Sequence, residues 1–563
     1  MMRLFFTFFA VCIANARKQD VIEMNMQDIP VEIDDSTSLT LPKQFSFAAY
    51  YGDHMVLQKA PQRAVIWGYN PYTDVFIDVS VDKQTVQALV NSKGLWRVIL
   101  DPVEGPGPYN ITARGSEGEI TLTDVLFGDV WLCSGQSNMQ FSVSQGFNAS
   151  EEIKDADNFP KIRLFTVNQV SSKTPWSDLD AANSIKQPWS VASSSSVGGG
   201  AWNYFSAVCW LYGKYLYQKL GYPIGLLNTC WGGTPVEAWS SPDALAKCGL
   251  ESGTMTSDQL VEPIYGRMSS YRNYGGPQTA VILWNAMINP LLNMTIYGAI
   301  WYQGENNARK PTTYNCTFPS MISDWRAKFH ASHGQNDPSF PFGFVMLGAN
   351  IPNMSDFSGF PDIRWHQTAD FGFVPNKKME NVFMANAMDL PDFLSPYGPI
   401  HPRDKQDVAR RLVNASLAVA YHQKDISYQA PLPSGFKVDT ATSRLEIVYN
   451  NGTEVLQLRN SVGFEICCSY DDKKICNGHA WWLPASVVSK TLSSVTVTTA
   501  SCGPQNVAGI RYAWRLSPCT FKDCSLYSFK SSLPASPFQF TSASFHKDGS
   551  YTINNNIPYP LEG

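Results

Sequence analysis

Three short apolar runs each empty into a segment that sets glycine beside hydroxyl or carboxamide side chains. Val130-Trp-Leu-Cys133 leads into Ser134-Gly135-Gln136-Ser137-Asn138-Met139. Ile224-Gly-Leu-Leu227 leads into Asn228-Thr-Cys-Trp231-Gly232-Gly233-Thr234, and Tyr297-Gly-Ala-Ile-Trp301 into Tyr302-Gln303-Gly304-Glu305-Asn306-Asn307. Glycine lets a backbone N–H approach a ligand closely and the amides supply fixed donors, which is the equipment for holding an oxyanion in acyl transfer. Ser137 is the candidate nucleophile: a serine on the turn after a buried strand presents its hydroxyl to a cleft, and it needs an adjacent base to react. The segment reads Gly-x-Ser-x-Met, not the Gly-x-Ser-x-Gly elbow of α/β-hydrolases. Capping the next helix is the commoner role of a lone turn serine, so the assignment rests on its company.

The base must come from eight histidines. His54 falls in an N-terminal β region, and His479 and His546 in a C-terminal one. His330, His333 and His422 stand at helix ends, where meeting backbone carbonyls is a sufficient role. His366 follows a Trp in a stretch that reads as irregular and stays a candidate. His401 differs, because Ser395-Pro-Tyr-Gly-Pro-Ile-His401-Pro402-Arg403-Asp404-Lys405 is a rigid loop before a helical pattern, with Pro402 at a helix-start position. A histidine held there is placed to face the same crevice as a general base.

The elements that carry these segments follow from periodicity. Phe45 to Thr123 alternates in strand fashion between Gly, Pro and Asn turns and reads as a small β-sandwich. From Asp129 to about Gln423, apolar runs alternate with helical segments at Val208–Leu220, Met321–His330 and Arg403–His422; Phe344–Leu347 and Val382–Ala385 complete the strands. That alternation predicts an α/β domain with a doubly wound parallel sheet, whose ligand site lies beyond the carboxyl ends of its strands. After Gln423 strand patterns return, with a hairpin expected around Asn450-Asn451-Gly452. The Ser- and Gly-rich stretch 190–200 reads as a loop. The expected divisions are 1–16 signal peptide, 40–125 N-terminal β-sandwich, 126–424 catalytic domain and 425–545 C-terminal β-rich region.

Composition bounds the partners. A formal charge of −5 supplies no positive field for phosphate backbones, so nucleic acid is not an expected partner. Residues 1–16 carry an early Arg, an apolar run and Ala14-Asn15-Ala16, the pattern of a cleaved secretory signal. The run is too short to span a bilayer core of roughly 30 Å, so no membrane association is expected. Seven Asn-x-Ser/Thr sequons, at Asn110, Asn148, Asn293, Asn315, Asn353, Asn414 and Asn451, suit a secretory route. Removing Cys12 with the signal leaves eleven cysteines, which allows a few disulfides and at least one thiol outside them; Cys519 and Cys524 are spaced to pair locally. Cys-x2-Cys doublets are missing, so neither a metal nor a cofactor is expected.

The ordered blocks Gly-Gln-Ser137-Asn-Met, Trp231-Gly-Gly-Thr-Pro-Val-Glu-Ala-Trp239, Trp301-Tyr-Gln-Gly-Glu-Asn-Asn307 and Ile400-His401-Pro-Arg-Asp-Lys405 resemble the sialate O-acetylesterase family of the SGNH hydrolase superfamily. Asp53-His-Met-Val-Leu-Gln58 and Asp129-Val-Trp-Leu-Cys-Ser-Gly135 extend the resemblance over nearly the whole mature chain. The resemblance implies an SGNH-type sheet and metal-free hydrolysis of O-acetyl groups, typically at the 9-position, from sialoglycans or free sialic acid by a lysosomal or secreted enzyme. It implies Ser137 as nucleophile and His401 as base. The oxyanion donors would be the N–H of Ser137, that of Gly232 or Gly233, and a side-chain amide of Gln303 or Asn307. Where the superfamily often places Asp three residues before the histidine, this chain has Gly398, and Asn306 stands where the family usually has Ser. Asp389, Asp392, Asp404, Glu305 or a backbone carbonyl are then the alternatives for orienting the ring. Trp231, Trp239, Trp301 and Tyr302 have two readings, a sugar-stacking face or ordinary packing between strand and helix. An acetylesterase for another acetylated carbohydrate, or a glycan-binding protein without turnover, are the competing functions.

Overall fold

In the computed structural model the described residues are 42–203, 205–250, 275–357, 359–469, 476, 481–545 and 551–553. The expected signal segment 1–16, His479 and His546 lie outside them. A seven-strand path runs through the central sheet: β1 (Gly118–Gly135), β2 (Ile162–Val167), β3 (Ile185–Val191), β4 (Ile224–Cys230), β5 (Gly298–Tyr302), β6 (Phe342–Met346) and β7 (Val382–Asn386). Their order is β3-β2-β4-β1-β5-β6-β7. All neighbours are parallel except β3, which adds an antiparallel edge, so the sheet is mixed where a purely parallel one was expected. β4, β5 and β6 are buried along their whole length, the signature of strands covered on both faces.

Side chains three apart on neighbouring strands show the two faces. Trp131 of β1 meets Tyr212 of α2 (Ala207–Leu220) and Phe383 of β7. On the other face Trp301 of β5 meets Phe318 and Trp325 of α3 (Tyr314–His333). Two further helices of the domain bear on the site, α4 (Phe360–His366) and α5 (Lys405–Val419), the latter packed along α2. Capping explains the ends. The Ser206 hydroxyl accepts from Cys209 N–H to start α2, Gly221 ends it at φ 76°, and the Asp404 carboxylate accepts from Asp407 N–H to start α5. Pro402 therefore lies outside the helix whose start it was expected to mark. The stretch expected as a loop at 190–200 contains a helical turn, Ser194–Val197, with Ser193 as its cap.

β1 is 18 residues long and serves two units. Its first part pairs with Tyr109–Gly115 and Val56–Gln58 of the N-terminal β region, and its second part is the centre of the catalytic sheet. The expected boundary at 125/126 thus falls inside a continuous strand. C-terminal to α5, a six-stranded and a four-stranded sheet enclose a separate core that includes Phe436, Ile447, Ile466 and Ile510. The expected hairpin at Asn450-Asn451-Gly452 does not form. All three residues turn with positive φ, but Arg444–Tyr449 pairs with Pro433–Asp439 and Ser494–Thr498, whereas Leu456–Leu458 pairs with Leu526–Ser528 in another sheet. The turn hands the chain from one layer to the next.

Five disulfides join Cys133–Cys209, Cys248–Cys316, Cys467–Cys476, Cys468–Cys502 and Cys519–Cys524. Among the described residues Cys230 is the thiol left outside these disulfides, buried and pushed up to about 12 by loss of solvation. Arg364 of α4 fastens the C-terminal unit to the sheet. Its fully buried guanidinium donates to the carbonyls of Leu347 (2.9 Å), Gly348 (2.8 Å), Arg515 (2.6 Å) and Leu516 (2.8 Å). Arg364→Met strands four buried acceptors, and urea denaturation is expected to show a loss of about 3–5 kcal/mol. A loss below about 1 kcal/mol would mean that the carbonyls find other donors.

Candidate active site

The three glycine-bearing segments leave adjacent strands at one level, because Gly135 is the register partner of both Cys230 on β4 and Tyr302 on β5. Gly135 has φ 140°, and a Cβ there would lie 2.3 Å from the Tyr302 carbonyl oxygen, so only glycine fits. The chain then turns into a single helical turn, α1 (Ser137–Gln140), with Ser137 as its first residue. Gln136 ties this turn to the β5 loop, its side-chain oxygen accepting from the N–H of Gly304 and of Asn306 at 3.3 Å each.

Ser137 and His401, 264 residues apart, meet here. Ser137 Oγ lies 2.9 Å from His401 Nε2, and His401 Nδ1 lies 2.7 Å from the Tyr397 carbonyl. A carbonyl only accepts, so Nδ1 carries the proton and Nε2 is left free to take one from the serine. The loop is closed on itself: His401 N–H donates to the Gly398 carbonyl, and the Ser395 hydroxyl to the His401 carbonyl. Burial pushes the imidazole down to about 4, and the Lys405 charge pushes the same way, while the bond to Tyr397 opposes both. The ring is therefore neutral at physiological pH.

None of the four carboxylates weighed as a third member bonds to His401. Asp389 is fully buried in a two-pronged pair with Arg411 and accepts from Tyr527. Asp392 pairs with Arg403, and Asp404 caps α5. Glu305 accepts from Asn138 at 2.6 Å. The backbone carbonyl is what remains, and Gly398, at φ 87°, sits inside the short Tyr397–His401 turn that brings it there. His366 ends α4 instead of lying in an irregular stretch, and it bonds Asp370 at 2.5 Å.

The expected oxyanion donors separate. Ser137 and Gly233 have backbone N–H groups with no acceptor among the described residues. Gly232 lies against Ser137, since a Cβ there would come 3.1 Å from Ser137 Cβ, but its N–H donates to the Gln140 side-chain oxygen at 2.8 Å. Gln303 and Asn307 do not aim at the serine. The Gln303 amide donates to the Thr234 carbonyl and to Asn307 Oδ1, and Asn307 donates to Glu237 while accepting from Val236 N–H. Their work is to bolt the β5 loop to the β4 loop, a use of buried amides that satisfies every group in reach.

Sequence reasoning passed over Asn138 and Lys405, although both lie in the quoted blocks. Asn138 donates to Glu305 and to the Ile400 carbonyl at 2.9 Å, and accepts from Lys405 Nζ at 2.6 Å. The residue after Ser137 thereby holds the residue before His401. Lys405 is fully buried between the rings of Phe141 and Tyr302, and burial pushes its ammonium down to about 7. Of the aromatics weighed as sugar platforms, Trp239, Trp301 and Tyr302 have no exposed surface and Trp231 retains 6%. They are packing residues.

The sequence matches the family model described as "Carbohydrate esterase, sialic acid-specific acetylesterase" over residues 127–394, and "Sialate O-acetylesterase C-terminal domain" over 434–542. It is 44% identical over 506 residues to sialate O-acetylesterase of Homo sapiens, covering 88% of this chain and 92% of that one. The Mus musculus protein of the same name is 43% identical over 522 residues, covering 88% and 94%. A solved carbohydrate acetylesterase from Xanthomonas citri superposes with TM-score 0.71 at 26% identity, over 88% of this chain and 99% of that one. At 44% identity over nearly the full length of both proteins, the chain belongs to the sialate O-acetylesterase family of esterases.

Proposed function

We propose that the protein removes O-acetyl groups from sialic acids, of the 9-O-acetyl type, through an acetyl-enzyme on Ser137 within an SGNH-type catalytic domain. The observation that carries the reading is the 2.9 Å contact between Ser137 Oγ and His401 Nε2, in a chain of this family. In acylation, Oγ attacks the acetyl carbonyl carbon while Nε2 takes the hydroxyl proton. The tetrahedral oxyanion points to the N–H groups of Ser137 and Gly233. Collapse breaks the bond to the sugar oxygen, and the imidazolium returns its proton to that leaving alkoxide. Water then attacks the acetyl-serine with His401 again as base, releasing acetate. Positioning by Asn138 keeps the two loops in register, so the pair need not be assembled on binding.

The same reading places the mature protein in the lysosome or outside the cell as a glycoprotein. Four sequon asparagines, Asn110, Asn148, Asn353 and Asn451, are exposed and open to glycosylation.

Acetate release from 9-O-acetylated sialic acid, with acetylated xylan and ethyl acetate in parallel, tests the substrate class. The expected result is a preference in kcat/KM for the sialoside. Preference for the xylan would favour the second reading, a carbohydrate acetylesterase of other specificity, which the Xanthomonas citri relative's description makes the natural rival. Binding of the sialoside with no acetate released would point to a glycan-binding protein.

A further inference from the structure

We infer that the half-buried indole of Trp202 is the platform on which the acetylated sugar stacks, and so a specificity-determining residue for the saccharide side of the ester. The inference rests on the acyl-transfer reading above and adds where the leaving group lies. His401 Nε2 must reach first Ser137 Oγ and then the leaving oxygen, so the sugar has to sit over the imidazole. The ring beside that imidazole is Trp202, with its centroid 5.0 Å from that of His401 at 73°. The indole also meets Phe141 (5.7 Å) and Tyr397 (6.3 Å) at near-perpendicular angles, and the residue as a whole is half-buried.

Its backbone is held in place at a cost. Trp202 has φ 64°, a left-handed conformation that a bulky side chain rarely adopts, and such residues gather where function over-determines them. The conformation is fixed from below. Trp202 N–H donates to Ser142 Oγ (3.2 Å) and Gln145 Oε1 (3.0 Å), and Ser142 Oγ also donates to the Gly200 carbonyl (3.3 Å). Ser142 and Gln145 belong to the segment that follows the nucleophile turn, so the indole is indexed to Ser137 as well as to His401. An aromatic face so oriented suits the C–H face of a pyranose and has nothing to recognise in a small alkyl leaving group.

The test compares wild type, Trp202→Ala and Trp202→Phe on 9-O-acetylated sialic acid, acetylated xylan and ethyl acetate. Trp202→Ala is expected to lose tenfold or more in kcat/KM on whichever saccharide the wild type prefers, chiefly through KM, with Trp202→Phe recovering most of it. Both variants should lose far less on ethyl acetate than on the saccharide, and in Trp202→Phe, which keeps a ring beside the buried imidazole, the acid limb of the pH profile should stay in place. Equal losses on saccharide and ethyl acetate, or a shifted acid limb in Trp202→Phe, would show that Trp202 acts on His401 and overturn the inference, as would unchanged saccharide kinetics. If wild type prefers xylan, the sialate reading falls, while the Trp202 inference is still decided by the variant's loss on xylan.

Discussion

Ser137→Ala is expected to lower kcat/KM on the acetylated sialoside by about 10⁴-fold or more, with the unfolding midpoint unchanged, as for nucleophiles whose base is left with nothing to activate. Stability should hold because among the described residues the hydroxyl makes one hydrogen bond, to His401 Nε2. The residual rate expected under the proposed mechanism is what the N–H groups at positions 137 and 233 would supply, since the substitution leaves both in place. A variant retaining a tenth of wild-type activity would require another nucleophile.

The second large effect is on pH dependence. His401 is held down to about 4, burial being the main cause, so kcat/KM should fall as pH drops through about 4 and stay level from there to neutrality. His401→Ala should cost about as much as Ser137→Ala, since the two act as a unit. Asp392→Asn and Asp404→Asn, by contrast, should stay within about fivefold of wild type, against the roughly 10⁴-fold loss seen where a carboxylate does orient the histidine. An acid limb near 6.5, the ordinary histidine value, would place His401 in water and contradict the buried geometry. The same shift has a stability consequence. His401 and His333 are both pushed down to about 4, so between there and their unfolded value of about 6.5 the unfolded chain binds more protons than the folded one. Stability therefore rises with pH across that window, and is lost as pH falls from about 6.5 towards 4. Denaturant midpoints at pH 5 and pH 7 should show it, with the pH 5 midpoint the lower and the difference reduced in His401→Gln.

The strands that feed the site were legible because fully buried parallel strands are apolar runs ending in glycine, as at Val130–Gly135, and little else reads that way. The pairing of Ser137 with His401 was legible too, since both lie on loops at the carboxyl end of the sheet. α4 was not. Seven residues with Pro361 in the first turn give no period to read, and the helix exists because Arg364 finds four carbonyls from two distant segments. Gln303 and Asn307 misled for a related reason. An amide beside a catalytic loop serves equally as an oxyanion donor or as a bolt between loops, and which it does depends on acceptors such as Thr234 O and Glu237 that only folding brings near. The ring's partner escaped because a backbone carbonyl leaves no mark on residue type. Trp202 escaped because its position over His401 depends on a left-handed turn at a residue whose identity argues against one.

The central claim is that Ser137 carries the acetyl group during turnover with His401 as its base. Rapid acid quench of the enzyme mixed with excess 9-O-acetylated sialic acid, followed by peptide mass spectrometry, tests it directly. The account predicts an added acetyl on the peptide containing Ser137, absent from Ser137→Ala, with hydrolysis of that adduct slowed in wild type as pH falls below about 4. A quenched enzyme that turns over substrate yet carries acetyl on another residue, or on none when deacylation is rate-limiting, would contradict it.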